Sequence, residues 1–194
     1  MTHRVYKAIA LGCFAVAVLT ASSANAAISV IGSGIAEDCY KAAEFGGSPM
    51  EGITTCTYAI DETALTNSDK AATYINRGIL EARNNNPHAA LEDYNRGLKL
   101  NGALGEGYVD RGASEIVLKD LDHALADINQ GISLHANRLE IAYYDRAIVD
   151  EAQGNIRAAY EDYKMAVQLA PDFGLANEQL MRFKVVRKSN ASGA

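Results

Sequence analysis

Apolar positions in the middle of the chain recur at helical spacing. Tyr74, Ile75, Gly78, Ile79 and Ala82 follow the i, i+3, i+4 pattern that gathers one face of an α-helix. Asn84-Asn85-Asn86-Pro87 then interrupts the pattern, and its proline suits the first turn of a following helix. Ala90, Leu91, Tyr94, Leu98 and Leu100 carry a second apolar face. The sequence of face, break and face returns twice, with breaks at Lys119-Asp120 and Gly154-Asn155 and a proline stop at Ala170-Pro171-Asp172. Strict period-2 alternation is absent, so the pattern predicts helices and no sheet.

The helical pairs are copies of one unit. Asn76-Arg77-Gly78 recurs as Asp110-Arg111-Gly112 and Asp145-Arg146-Ala147, at spacings of 34 and 35 residues. Ala90, Ala124 and Ala159 follow at the same spacings, and each lies 12 residues after the small residue of its own triplet. Three copies that keep one internal distance are the signature of a repeat architecture. Glycine inside a helix costs about 1 kcal/mol relative to alanine. That cost has a reason if a large side chain from the partner helix packs on the backbone. Tyr94, Ile128 and Tyr163 fit that role.

Each arginine of the triplets has an aspartate 16 residues later: Arg77 with Asp93, Arg111 with Asp127, Arg146 with Asp162. An ion pair across the two helices of each unit is the expected arrangement, because Arg suits partly buried carboxylate pairing. An anion-binding ladder of arginines is the alternative.

Residues 71–173 resemble three tetratricopeptide repeats, at 71–104, 105–138 and 140–173. The resemblance rests on the small residue, alanine and large residue of each unit: Gly78/Ala90/Tyr94, Gly112/Ala124/Ile128 and Ala147/Ala159/Tyr163. Tyr74, Tyr108 and Tyr143 add the early aromatic, and Pro171 closes the third unit. The family's leucine before the small residue is here arginine, and Gly102 and Ala136 replace its terminal proline. The resemblance implies an all-α fold, a short right-handed α-solenoid of antiparallel helix pairs with a C-terminal capping helix. It also implies a concave groove lined by Ile75, Ile79, Arg83, Val109, Ala113, Ile116, Val117, Tyr144, Ile148 and Glu151. This set is mainly aliphatic, which suits an apolar or amphipathic peptide or a partner helix. Packing of the same surface against the N-terminal segment or a second copy is the other reading.

The ends of the chain differ from the repeats. Arg4 and Lys7 precede an apolar run from Ala8 to Leu19, and small residues follow to Ala26. This order is that of a secretory signal peptide over residues 1–26, with an uncleaved anchor or a lipid-bearing Cys13 as alternatives. Removing 26 of 194 residues leaves 168, and loss of two cations takes the net charge from −6 to −8. Such acidity excludes non-specific nucleic-acid binding as the leading function. Cleavage also removes Cys13 and leaves Cys39 and Cys56 in a disulfide-permissive compartment.

Residues 27–70 are expected to hold a degenerate helical pair, Glu37–Phe45 and Met50–Asp61. Aligned on the repeat, Cys39 and Cys56 fall on facing helices, which favours a structural disulfide over metal ligation or redox chemistry. Residues 174–188 suit a capping helix, or a helix lying on a membrane surface, and 189–194 read as a disordered tail.

Catalytic signals are sparse. His88 and His123 fall near the turns between helices, and Gly32-Ser33-Gly34 lacks the Lys-Ser/Thr of a phosphate loop. The expectation is a non-enzymatic exported scaffold that binds a protein or peptide, with no cofactor, metal, nucleic acid or stable membrane insertion. A self-associating structural protein and a docking module of an envelope enzyme complex are the competing expectations.

Overall fold

The computed structural model describes residues 4–8, 27–29 and 34–187. Strand β1 (Arg4–Ala8) precedes α1 (Ile35–Phe45), α2 (Pro49–Glu62), α3 (Asn67–Arg83), α4 (Pro87–Leu100) and α5 (Gly105–Val117). Then come α6 (Leu121–Ser133), α7 (Leu139–Ala152), α8 (Ile156–Leu169), α9 (Gly174–Met181) and β2 (Phe183–Arg187). Helices α3/α4, α5/α6 and α7/α8 form the three pairs that the repeat predicts, and α1/α2 form a fourth against α3.

Local chemistry sets the helix ends. Ser48 caps α2 by accepting the Glu51 N–H at 3.4 Å, with Pro49 in the first turn, and Thr66 caps α3 through the Asp69 N–H at 3.1 Å. Inside each repeat the turn is made the same way. Asn85, Lys119 and Gly154 take positive φ of 61°, 64° and 82°. The next N–H returns to a carbonyl five residues back: Asn86 to Glu81, Asp120 to Glu115, Asn155 to Asp150. This closure satisfies the last carbonyls of the first helix and turns the chain into the second.

Two reciprocal contacts lock each of the pairs α3/α4 and α5/α6. A methyl group added at Gly78 would stand 2.5 Å from Tyr94 Cε1, and one at Gly112 would stand 2.8 Å from Ile128 Cγ1. Tyr94 and Ile128 are therefore the expected knobs, seated on bare backbone. A second register was not evident from the sequence. Ile75 sits on Gly97 and Val109 on Gly131, where an added methyl would come within 2.7 and 2.5 Å of them.

The arginines form the expected pairs with both edges engaged. Arg77 donates to the two Asp93 oxygens at 2.7 and 2.8 Å, Arg111 to Asp127 at 2.5 and 2.8 Å, Arg146 to Asp162 at 2.6 and 2.9 Å. The remaining Nη1 reaches back to the preceding pair, to Thr57 Oγ1, Asn95 Oδ1 and Asn129 Oδ1 respectively. Each guanidinium also stands over the tyrosine three residues before it, Tyr74, Tyr108 or Tyr143, at 5.1–5.6 Å from the ring centre. With these contacts in place the structure holds ion pairs, not an open anion ladder.

The N-terminal pair is clipped by a disulfide between Cys39 and Cys56, both fully buried. Closing a loop of 17 residues contributes about 3 kcal/mol in the chain-entropy model.

At the C-terminus the structure corrects two expectations. The capping helix ends at Met181, and Phe183–Arg187 is a strand paired antiparallel with Arg4–Ala8. Sheet is thus present, although no period-2 pattern marks it. The β-branched Val185 and Val186 favour extended backbone over helix at this point. Phe173, Leu180 and Phe183 still cover the last repeat: Phe173 lies 5.1 Å from Tyr144, and Phe183 lies 5.8 Å from Tyr163, centre to centre. Strand β1 falls within the expected leader. The rest of that leader and the expected tail at 189–194 lie outside the described residues.

Arg111→Ala leaves the buried Asp127 without its partner and is expected to cost about 3 kcal/mol by urea unfolding. The charge swap Arg111→Asp with Asp127→Arg should recover part of that loss. A swap no more stable than Arg111→Asp alone would contradict the pairing.

Candidate functional site

The first helices of the pairs, α1, α3, α5 and α7, touch in succession and form the inner layer of the solenoid. The fork holds each arginine toward its second helix. The residue immediately before it turns to the inner layer. These residues are Asn76, Asp110 and Asp145, and all three are buried.

Asn76 grips a segment of main chain. Its Oδ1 accepts the Ile28 N–H at 2.8 Å, and its Nδ2 donates to the Ile28 carbonyl, also at 2.8 Å. One side-chain amide thus satisfies both polar groups of one residue. Ile28 packs against both apolar clusters of the N-terminal half, and Ala27 joins one of them. The segment 27–29 therefore lies on the inner layer as a short peptide would.

The two aspartates at the same register have no such partner. Both Asp145 oxygens and Asp110 Oδ2 are buried without a hydrogen bond. Burial is the main cause that drives both carboxyls well above the usual carboxylate range, and for Asp110 the Asp145 charge adds to it. The nearby cations are engaged elsewhere: Arg83 donates to the Ala42 carbonyl at 3.3 Å and Arg138 to Glu140 at 3.1 Å. Glu115 is raised to about 7, mainly by burial and then by the Asp127 charge.

The groove residues expected from the family resemblance are mostly buried, as the polar line beside them is. Ile75, Ile79, Val109, Ala113, Ile116, Tyr144 and Ile148 are buried. Ile75 and Val109 fill the space over Gly97 and Gly131, and Tyr144 stacks on Tyr163 and Phe173. They are core because an aliphatic side chain gains about 1.5–3 kcal/mol from leaving water. Glu151 is tied to Arg182 and to the Tyr163 hydroxyl. Arg83 is half-buried, as above. Val117 alone of the set is exposed, at 46%. The inner polar positions were missed, although they stand in the sequence directly before each repeated arginine.

His88 is exposed, and exposed His123 pairs with Asp120 at 2.8 Å, raised by that contact. Among the described residues no cluster of His, Cys, Asp or Glu is placed to hold a metal ion, and no helix is long and apolar enough to cross a membrane.

No protein-family profile matches the chain, and no curated protein matches it in sequence. Solved structures do match. The crystal structure of MamA aligns at 18% identity over 77% of this chain and 82% of its own, with a TM-score of 0.62. The Arabidopsis OM64 TPR domain aligns at 22% identity over 60% and 98%, with a TM-score of 0.56. The first TPR of Spaghetti (RPAP3), bound to the HSP90 peptide SRMEEVD, aligns at 21% identity over 60% and 94%, with a TM-score of 0.57. The fold is that of a tetratricopeptide-repeat solenoid. The three arginine-marked repeats of this TPR solenoid are α3/α4, α5/α6 and α7/α8, with α1/α2 stacked before them.

The buried acids of the solenoid tie its stability to pH. A carboxyl held above its unfolded value keeps its proton in the native state while the unfolded chain has lost it. Its contribution is present at low pH and is lost as pH rises from the ordinary carboxylate range toward the raised one. Asp145→Asn removes one such group. Relative to the native chain, the variant should gain stability in urea unfolding as pH rises above the ordinary carboxylate range. Parallel pH profiles for the two would contradict this.

Proposed function

We propose that this TPR solenoid is a non-enzymatic, exported scaffold that holds an extended peptide segment of a partner against its inner face. The observation that carries the reading is the two-way grip of Asn76 on the Ile28 main chain. A side-chain amide that pairs with both the N–H and C=O of one residue reads backbone irrespective of sequence, and neighbouring apolar contacts add selectivity. Binding of an HSP90 peptide by a solenoid of the same fold supports a peptide as ligand class. The leader-like residues 1–26 and the Cys39–Cys56 bridge support a bacterial periplasm or the secreted space as location.

Cleavage near Ala26 would separate β1 from β2 and leave Ala27-Ile28-Ser29 as the new amino terminus, on the inner layer itself. The mature N-terminus would then occupy the first part of the surface and leave the second and third repeats to the partner.

Expressed in a Gram-negative host, the full chain is expected in the periplasmic fraction with its amino terminus at or beside Ala27. Recovery in the cytosol with the leader attached would contradict export. A benzophenone side chain introduced at exposed Val117 should form adducts with proteins of that fraction, and one at exposed His88 should not. Equal labelling from the two positions would contradict an inner-face site.

A further inference from the structure

Asp110 and Asp145 occupy, in the second and third repeats, the place from which Asn76 holds Ile28 in the first. We propose that the inner face binds an extended peptide bearing arginine side chains, with the carboxylates of Asp110 and Asp145 as the acceptors of its guanidinium groups. The inference rests on the inner face being a peptide site and adds the chemistry of what enters it.

Three independent features support it. The first is vacancy at the acceptors. Asp145 is fully buried with both oxygens unbonded, and Asp110 is 4% exposed with Oδ2 unbonded. A buried carboxylate without a partner is destabilising, so a fold that keeps two at equivalent positions carries them against its own stability. The second is register. Asn76 shows that a side chain at this position meets main chain laid along the inner layer. Aspartate in the same position keeps the acceptor, loses the amide donor and gains a charge. The third is the surrounding charge. Arg83 and Arg138 act on Asp110 from a distance while bonded to Ala42 and Glu140. Arg77, Arg111 and Arg146 are closed into their own forks. Glu106 adds a further negative charge on α5, with Oε1 taken by the Asn137 N–H.

Arginine is the fitting cation because Asp145 presents two free oxygens. That is the acceptor edge which a forked guanidinium fills in the three internal pairs of this chain. Burial biases both carboxyls toward the protonated form. An entering guanidinium displaces those protons to solvent as each carboxyl ionises, so binding is coupled to proton release.

The test uses the full chain and a fluorescent, N-acetylated peptide of repeated Ala-Ile-Ser-Arg units, whose first three residues copy Ala27-Ile28-Ser29. Its neutral counterpart carries citrulline in place of arginine. By fluorescence anisotropy near neutral pH, the arginine peptide should bind at least ~10-fold more tightly than the citrulline peptide. In the double variant Asp110→Asn, Asp145→Asn that preference should fall to near unity. Calorimetry on the native chain should show a binding heat for the arginine peptide that varies with the ionisation enthalpy of the buffer. This measurement does not depend on the variant folding.

Equal affinity for the two peptides would overturn the arginine inference and leave the peptide site standing. Failure of both peptides to bind would overturn both. A preference retained in a natively folded double variant, or a buffer-independent heat, would remove the two aspartates as acceptors.

Discussion

The arginine–aspartate fork fixes the rotation of every first helix in the repeats, and both the core and the inner face follow from that rotation. Arg111 is bound by Asp127 of its own second helix, by Asn95 of the preceding pair and by the face of Tyr108. Three elements thus meet at one planar group with a fixed geometry of donors. With the arginine so held, the residue after it faces the partner helix, where Gly112 receives Ile128. The residue before it turns to the inner layer, where Asp110 stands. The same three-residue logic holds at Asn76-Arg77-Gly78 and Asp145-Arg146-Ala147. A charged pair of this kind does not add much net stability over apolar packing, but it specifies which face goes where.

The inner line that results is at odds with the interior around it. The side chains next to Asp110 and Asp145 in sequence, Val109 and Tyr144, are core. Two unpartnered carboxyls among them oppose folding at neutral pH, and the direction of their titration says so. Positions that break the local rule of polar satisfaction, and do so at the repeat period, are where a solenoid carries function. The first repeat offers the contrast. Asn76 is equally buried yet fully bonded, because a segment of the same chain reaches it.

The repeat architecture was legible because it depends on spacing. The alternating faces, the turns after residues 84, 118 and 153, the knobs on glycine and the fork pairs all follow from residue type at fixed intervals. The bridge between Cys39 and Cys56 followed from aligning a fourth, weaker pair on the same interval. The site was less legible for a physical reason. Adjacent residues on a helix differ by about 100° in direction, so the buried polar line stands one position away from the apolar side chains that fill the core. Apolar Ile75, Val109 and Tyr144 match a groove on hydrophobicity, but the glycines opposite them draw them inward. The signal for the inner polar line was the residue that precedes each repeated arginine. The C-terminal strand was hidden for another reason. Its pairing partner lies at the opposite end of the sequence, in a segment whose composition resembles that of a leader.

The inner face of this solenoid grips an extended main chain through Asn76, the residue before the first fork arginine. Hydrogen exchange of the Ile28 amide, read by NMR on the full chain, addresses it most directly. The Ile28 amide should exchange far more slowly than in an unstructured chain and show a nuclear Overhauser contact to the Asn76 side-chain amide, both lost in Asn76→Ala. An Ile28 amide that exchanges at the unstructured rate in the native chain would contradict it.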